Sequence, residues 1–195
     1  MVTFVTMSAA EAKQFLQLFL ANTPGRLEEL GRRVVADGAA REEQLDLGPD
    51  ALDLVWEWAR PQLAWREGYV PPPLGQPGPR GPVGDLEPPD QLPEWFDPPV
   101  YDWWQFSAST LWLIDGLARY LGESLLEAVP GSRWTVGRSR TKGYVYQNHP
   151  VIAGLPLGDD LEPMTVVTVL LSKALRGEPW PLRRMYDTWA GIVKI

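Results

Sequence analysis

The chain has 195 residues, 45% of them hydrophobic, with 25 acidic against 18 basic side chains and a net charge of −7. That is enough apolar material for one substantial core, and the lack of cysteine excludes disulfides, thiolate metal sites and thiol nucleophiles. The acidic balance disfavours nucleic acid and anionic membranes as partners and favours a basic one. Residues 1–7 carry no basic leader pattern, and no run reaches the roughly 20 apolar residues of a membrane span. The expectation is a cytoplasmic protein.

Ser8 and Glu11 have the spacing of a capping box, and Phe15, Leu16, Phe19 and Leu20 follow at helical intervals, which predicts a first helix over 8–21. Thr23-Pro24 then reads as a stop and a fresh start, giving a second helix that carries Leu27, Leu30, Val34 and Val35 to Gly38, and hence a helical hairpin. A third helix carries Leu52, Val55, Trp56 and Ala59 up to Pro61. Between Val70 and Pro99 lie more than half of the chain's prolines, so no regular element runs through that stretch. Its aromatic end, Trp95, Phe96, Tyr101, Trp103 and Trp104, is expected to pack back on the core. The most apolar helix starts near Ser107 or Ser109 and ends at Pro130-Gly131. After it, 133–137 and 143–147 read as a hairpin with its tip at 138–142, and 151–153 as a third strand. Glu162-Pro163 opens another helix that ends at Gly177, and 181–189 forms a last short one.

The expected fold is therefore α+β and predominantly helical, a central apolar helix packed on a small antiparallel sheet of two to four strands, with a long Pro/Gly-rich loop. Three parts are read along the chain: N-terminal helices over 1–69, the loop over 70–99, and a helix-hairpin-helix part over 100–195, together one compact domain.

His149 is the only histidine, so it is the first candidate for general acid or base work, with a structural role as the simpler reading between Asn148 and Pro150. One histidine and no cysteine leave no typical zinc site, and Asp159, Asp160 and Glu162 lack the loop of a calcium site. No metal and no cofactor are expected. On the central helix Asp115, Arg119, Glu123 and Glu127 recur every four residues. This stripe reads first as a solvated face; turned inward, it would make Glu123 a buried carboxylate that needs Arg119, Arg133 or a tyrosine hydroxyl. Arg138, Arg140 and Lys142, with Tyr144 and Tyr146, make the expected hairpin both basic and aromatic, a solvated tip or a binding edge.

Tyr120-Leu121-Gly122-Glu123 on a helix, then Gly131 and Trp134, then Pro150-Val151-Ile152 and a helix after Glu162-Pro163, resembles small α+β proteins of actinobacteria and immunity-type domains of polymorphic toxin systems. The resemblance spans about residues 112–176. It implies a non-enzymatic protein that works by tight binding, in which Gly122 lets helix and sheet approach while Glu123 and Trp134 are structural. No catalytic residues carry over from it.

The leading expectation is a protein that neutralises a basic protein partner such as a toxin domain, with Trp95, Trp103, Trp104, Arg138, Arg140, Lys142, Tyr144 and Tyr146 as contact residues. A hydrolase or transferase with a cleft around Glu123, Arg119 and His149 is the alternative, and an assembly subunit docking through the proline-rich loop is another. A second copy of the chain stays open as a partner.

Overall fold

The computed structural model describes residues 4–73, 92–96, 105–141 and 143–192. Its longest element is helix α1, Ala9–Ala36, which starts at the expected capping box: Ser8 N–H donates to Glu11 Oε2 at 2.7 Å and Glu11 N–H to Ser8 Oγ at 3.3 Å. The expected hairpin at Thr23-Pro24 is not formed. α1 runs straight through with Pro24 inside it. Proline has no N–H for the carbonyl four residues back, so a helix that keeps one needs other contacts to hold that turn. The carbonyl without its usual partner is that of Leu20, and the turn beside it is braced at Phe19, whose carbonyl accepts from the Thr23 hydroxyl at 2.9 Å and from Arg119 at 2.6 Å.

α2, Pro49–Ala59, has proline in its first turn and passes into a 3-10 turn, Arg60–Gln62. Just beyond, Ala64 and Arg66 hydrogen-bond with Ser107 and Gln105 through the backbone, Thr110 Oγ1 binds both backbone groups of Ala64, and Trp65 stacks on Phe106 at 5.3 Å. These contacts fix the start of α3, Ala108–Ala128, whose cap Ser107 accepts the Thr110 N–H. α3 is buried on nearly every side from Thr110 to Leu125, and the core closes on Leu113, Ile114, Leu117, Leu121 and Leu125. Against them lie Phe19, Leu30 and Val34 from α1 and Leu52, Val55 and Trp56 from α2, with Val167 and Leu171 from the later helix α4, Pro163–Leu175. α5, Leu182–Trp189, closes the core with Leu182 and Tyr186. No described helix is long and apolar enough to cross a membrane.

The sheet has two strands, β1, Arg133–Val136, and β2, Pro150–Ala153, antiparallel with Trp134 opposite Ile152. The α+β, mainly helical class is as expected, but β1 pairs with 150–153 and not with 143–147. Two features explain the difference. Val145 is 70% exposed, so Tyr144-Val145-Tyr146 has no buried face to hold it in a sheet. Asn148 adopts a left-handed φ of 68°, and Gly137 bonds to Asn148 and His149 through its carbonyl and N–H at 2.8 Å each, which closes 138–147 off as a loop. Ile152 also exchanges two backbone bonds with Leu161, a single bridge that sets the entry into α4.

Gly122 lies under the Trp134 indole, and a β-carbon there would overlap the ring. Phe19 meets the same ring edge-on at 5.1 Å. Helix α3, the sheet and α1 thus join at one tryptophan. Gly122→Ala is expected to destabilise the fold by about 1–3 kcal/mol through overpacking. Gly116→Ala, on the same helix but meeting only the Leu30 side chain at 3.4 Å, should be tolerated; urea unfolding of both variants separates the two cases.

Candidate functional site

The polar stripe of α3 does not face solvent over its first half. Arg119 and Asp115 are both fully buried. Their spacing of four residues lets Arg119 Nε donate to both Asp115 oxygens at 3.0 and 3.1 Å, while Nη1 donates to the Phe19 carbonyl and to Thr23 Oγ1 at 2.6 Å each. Nη2 donates to Glu94 Oε1 at 2.6 Å, and the guanidinium lies 3.8 Å from the Phe19 ring centre. Arg26 completes the group, 3.4 Å from Glu94 and 3.7 Å from Asp115, with its own guanidinium over the Trp112 ring. Two arginines therefore meet two carboxylates, and Asn22 adds a bond to Glu94 at 3.2 Å. Such a pairing is the condition under which charge can be buried at all.

The two carboxyls respond differently. Burial pushes Asp115 above the ordinary carboxyl range, against the pull of Arg119, and the nearby Glu94 charge adds to the rise. Glu94 is less enclosed, so although burial raises it, Arg119 and the hydrogen bonds from the backbone and Asn22 win and hold it below its usual value.

Glu123 is half-buried and accepts the Trp134 Nε1–H at 2.8 Å, an indole partner that helical spacing alone does not reveal. Glu127 is exposed. His149 lies far along the chain beside Glu162, Nδ1 to Oε1 3.6 Å, with its ring 4.1 Å from Phe4 and 5.9 Å from Trp95. Glu162 spends its other oxygen on the Thr165 N–H as the cap of α4, and Asn148 beside His149 ties down the carbonyls of Phe4 and Met7. Among the described residues no hydrogen bond or ion pair joins Glu123, Arg119 and His149, and no group of three or more histidine or acidic side chains is placed to hold a metal ion.

Of the expected contact residues, Trp95 is 3% exposed and packs among Phe4, Phe15 and Phe19, which leaves almost none of its surface for a partner. Arg138 and Arg140 are exposed, the former reaching the Ala9 carbonyl. Tyr144 donates to Asp160 at 2.5 Å and meets Tyr146 edge-on; burial, then the bond to Asp160, pushes its hydroxyl up. Trp103, Trp104, Lys142 and most of the Pro/Gly-rich loop lie outside the described residues.

Spacing also gives little hint of a surface that forms at the end of α1. Residues 37–57 hold seven carboxylates, Asp37, Glu42, Glu43, Asp46, Asp50, Asp53 and Glu57, against one arginine, so nearly all of the net charge of −7 sits in one short stretch. All but the half-buried Asp53 are exposed. The 3-10 turn Glu42–Gln44 forms a ridge in this stretch with a hollow to each side. One hollow, about 580 Å³, is lined by Gln44, Asp50, Asp53, Glu57 and Trp58. The other, about 670 Å³, is mainly apolar and lies between the ridge and the second half of α1, with Tyr120 of α3 at its side. A charge count along the chain would have found the acidic stretch; the hollows depend on how the turn folds back.

Comparison of the chain with known protein families, curated proteins and solved structures finds no match.

Arg119→Met should cost about 3–5 kcal/mol in urea unfolding, because it leaves two carboxylates with only the longer contacts to Arg26, and Asp115→Leu added to it should recover part of the loss. Glu94→Gln probes the pH dependence. Since the folded carboxyl of Glu94 sits below the ordinary 4.5, its contribution is full above that pH and fades as pH falls through the lower folded value. The stability gap between wild type and Glu94→Gln should therefore narrow below pH 4.5. Asp115 has the opposite sign: with its folded carboxyl raised, its contribution declines as pH climbs from 3.8 toward the raised value.

Proposed function

We propose that this protein is a non-enzymatic, cytoplasmic binding protein that captures a basic protein partner through the acidic face at residues 37–57, in the manner of an immunity protein that neutralises a toxin domain. The observation that carries the reading is the concentration of charge. Seven carboxylates and one arginine on a single exposed stretch produce a local field that draws in a cationic surface and repels an anionic one.

Counter-charges within the fold leave part of that field unspent. Arg183 reaches Asp50 at 2.7 Å and Asp53 at 3.0 Å, Arg41 pairs with Glu43, and Arg60 pairs with Glu57. Glu42 and Asp46 have no cationic partner among the described residues. The resemblance to immunity-type domains, carried by residues 120–123, Trp134 and 150–152, agrees with this reading. A hydrolase or transferase reading would ask Glu123, Arg119 and His149 to share one cleft, and each is instead engaged by a different neighbour: Trp134, the Asp115 and Glu94 carboxylates, and the Phe4 ring.

The test places a photo-crosslinking residue at Glu43 in the native host, identifies the crosslinked protein and measures its binding to the purified chain at rising salt. A basic partner is expected, with an association rate that falls steeply with salt and drops about tenfold or more in Glu42→Lys/Glu43→Lys. An acidic partner, or binding indifferent to salt and to the charge reversal, would overturn the proposal.

A further inference from the structure

α1 presents Leu27, Gly31 and Val35 at intervals of four residues along one wall of the 670 Å³ hollow, so these three positions form a single row about 12 Å long. The middle position has no side chain. A β-carbon there would meet only the flexible tip of Leu45, at 3.5 Å, so the gap between Leu27 and Val35 is a hole bordered by that side chain. A row with one missing knob is the geometry into which a side chain of another helix inserts. Leu45 and Leu47 form the opposite wall, and Val35 is 38% exposed although it is apolar.

The far wall is held in an unfavourable shape. Leu47 has a left-handed φ of 62°, which a leucine adopts only when its surroundings enforce it. Part of the enforcement is visible: the Leu47 N–H donates to the Tyr120 hydroxyl at 3.3 Å. Burial pushes that hydroxyl up to about 12, so it stays protonated, and its own proton has no acceptor among the described residues. The hollow thus offers an apolar hole beside one free hydrogen-bond donor.

The rim decides what kind of occupant fits. Glu28 and Glu42 border the hollow, and neither has a cationic partner among the described residues, whereas Arg32, the one cation on the rim, is paired with Glu29. Across the ridge lies the acidic hollow with Asp50, Asp53 and Glu57.

We infer that the groove between α1 and residues 45–47 is the anchoring subsite for a basic amphipathic helix of the partner protein, which inserts one leucine-sized side chain over Gly31 and sets lysines or arginines against Glu28 and Glu42. The inference rests on the acidic-face reading above and adds to it the shape of the recognised segment. Helix-in-groove binding of this kind takes its affinity from the apolar anchor, and the surrounding charges select the partner's sign.

The probe is a short amphipathic helical peptide of lysine and leucine, compared with an all-lysine peptide and a glutamate–leucine peptide of the same length. Binding is measured by fluorescence anisotropy and mapped by methyl shifts in the full-length protein. The lysine–leucine peptide is expected to bind about tenfold or more tightly than the all-lysine one, with shifts centred on Leu27, Val35 and Leu47. Gly31→Leu, which fills the hole, should erase that advantage, and Val35→Asn should reduce it; thermal melting checks that both variants stay folded. Equal binding of the all-lysine peptide, or no effect of Gly31→Leu, would overturn the groove inference and leave the acidic-face proposal standing. Equal binding of the glutamate–leucine peptide would overturn both. If no peptide shifts the groove methyls, the inference fails, and the crosslinking experiment alone decides the wider proposal.

Discussion

A single guanidinium, that of Arg119, ties the core together. It sits inside the apolar helix α3 and binds a carboxylate of its own helix, a carbonyl and a hydroxyl of α1, and a carboxylate of the 3-10 turn Glu94–Phe96. Burying an isolated cation would cost far more than a domain's net stability, so its partners must arrive together. Hydrophobic contacts among Leu113, Leu117, Phe19 and Leu52 tolerate many arrangements, whereas the donors of Arg119 accept few. The ion cluster therefore constrains the packing of α1 on α3 more tightly than the apolar contacts do.

This arrangement separates the interior from the acidic surface. The buried charges are satisfied by one another, and the one histidine is packed by aromatic rings, so the chemistry-bearing residues inside the fold act on architecture. The unspent charge lies outside, on the stretch that links the end of α1 to α2. For the proposed capture of a basic partner, a packed core under a charged, concave surface would keep the ordering entropy lost on docking small.

Much of the fold was legible in the residues themselves. Ser8 with Glu11, Ser107, and Glu162 with Pro163 each announce a helix start by local hydrogen-bonding chemistry, and those starts hold. Two expectations failed for reasons that local spacing does not show. Pro24 reads as a break, and one of the contacts that brace the turn beside it, from Arg119 to the Phe19 carbonyl, comes from 100 residues away. The 143–147 segment reads as a strand from Tyr-Val-Tyr, but the left-handed Asn148 and the exposed Val145 remove it from the sheet. The stripe on α3 was readable in hindsight: Asp115 and Arg119 are flanked by Ile114, Leu117, Ala118 and Leu121, and a helix apolar all round has no solvent side on which to put them. The groove at Gly31 was not readable, because a glycine inside a helix looks the same whether it faces water, a neighbour or a hole.

The proline inside α1 bears on the order of events during synthesis. Residues 9–36 leave the ribosome long before residue 119 exists, and until then the Phe19 carbonyl has only the donors of Thr23. In that interval the turn at Thr23-Pro24 lacks the brace that Arg119 adds. The contacts of α1 are complete only once α3 is in place, so the element that emerges first is finished by one that emerges much later. The row of Leu27, Gly31 and Val35 follows directly on that braced turn, so the groove wall and the buried ion cluster share one helix.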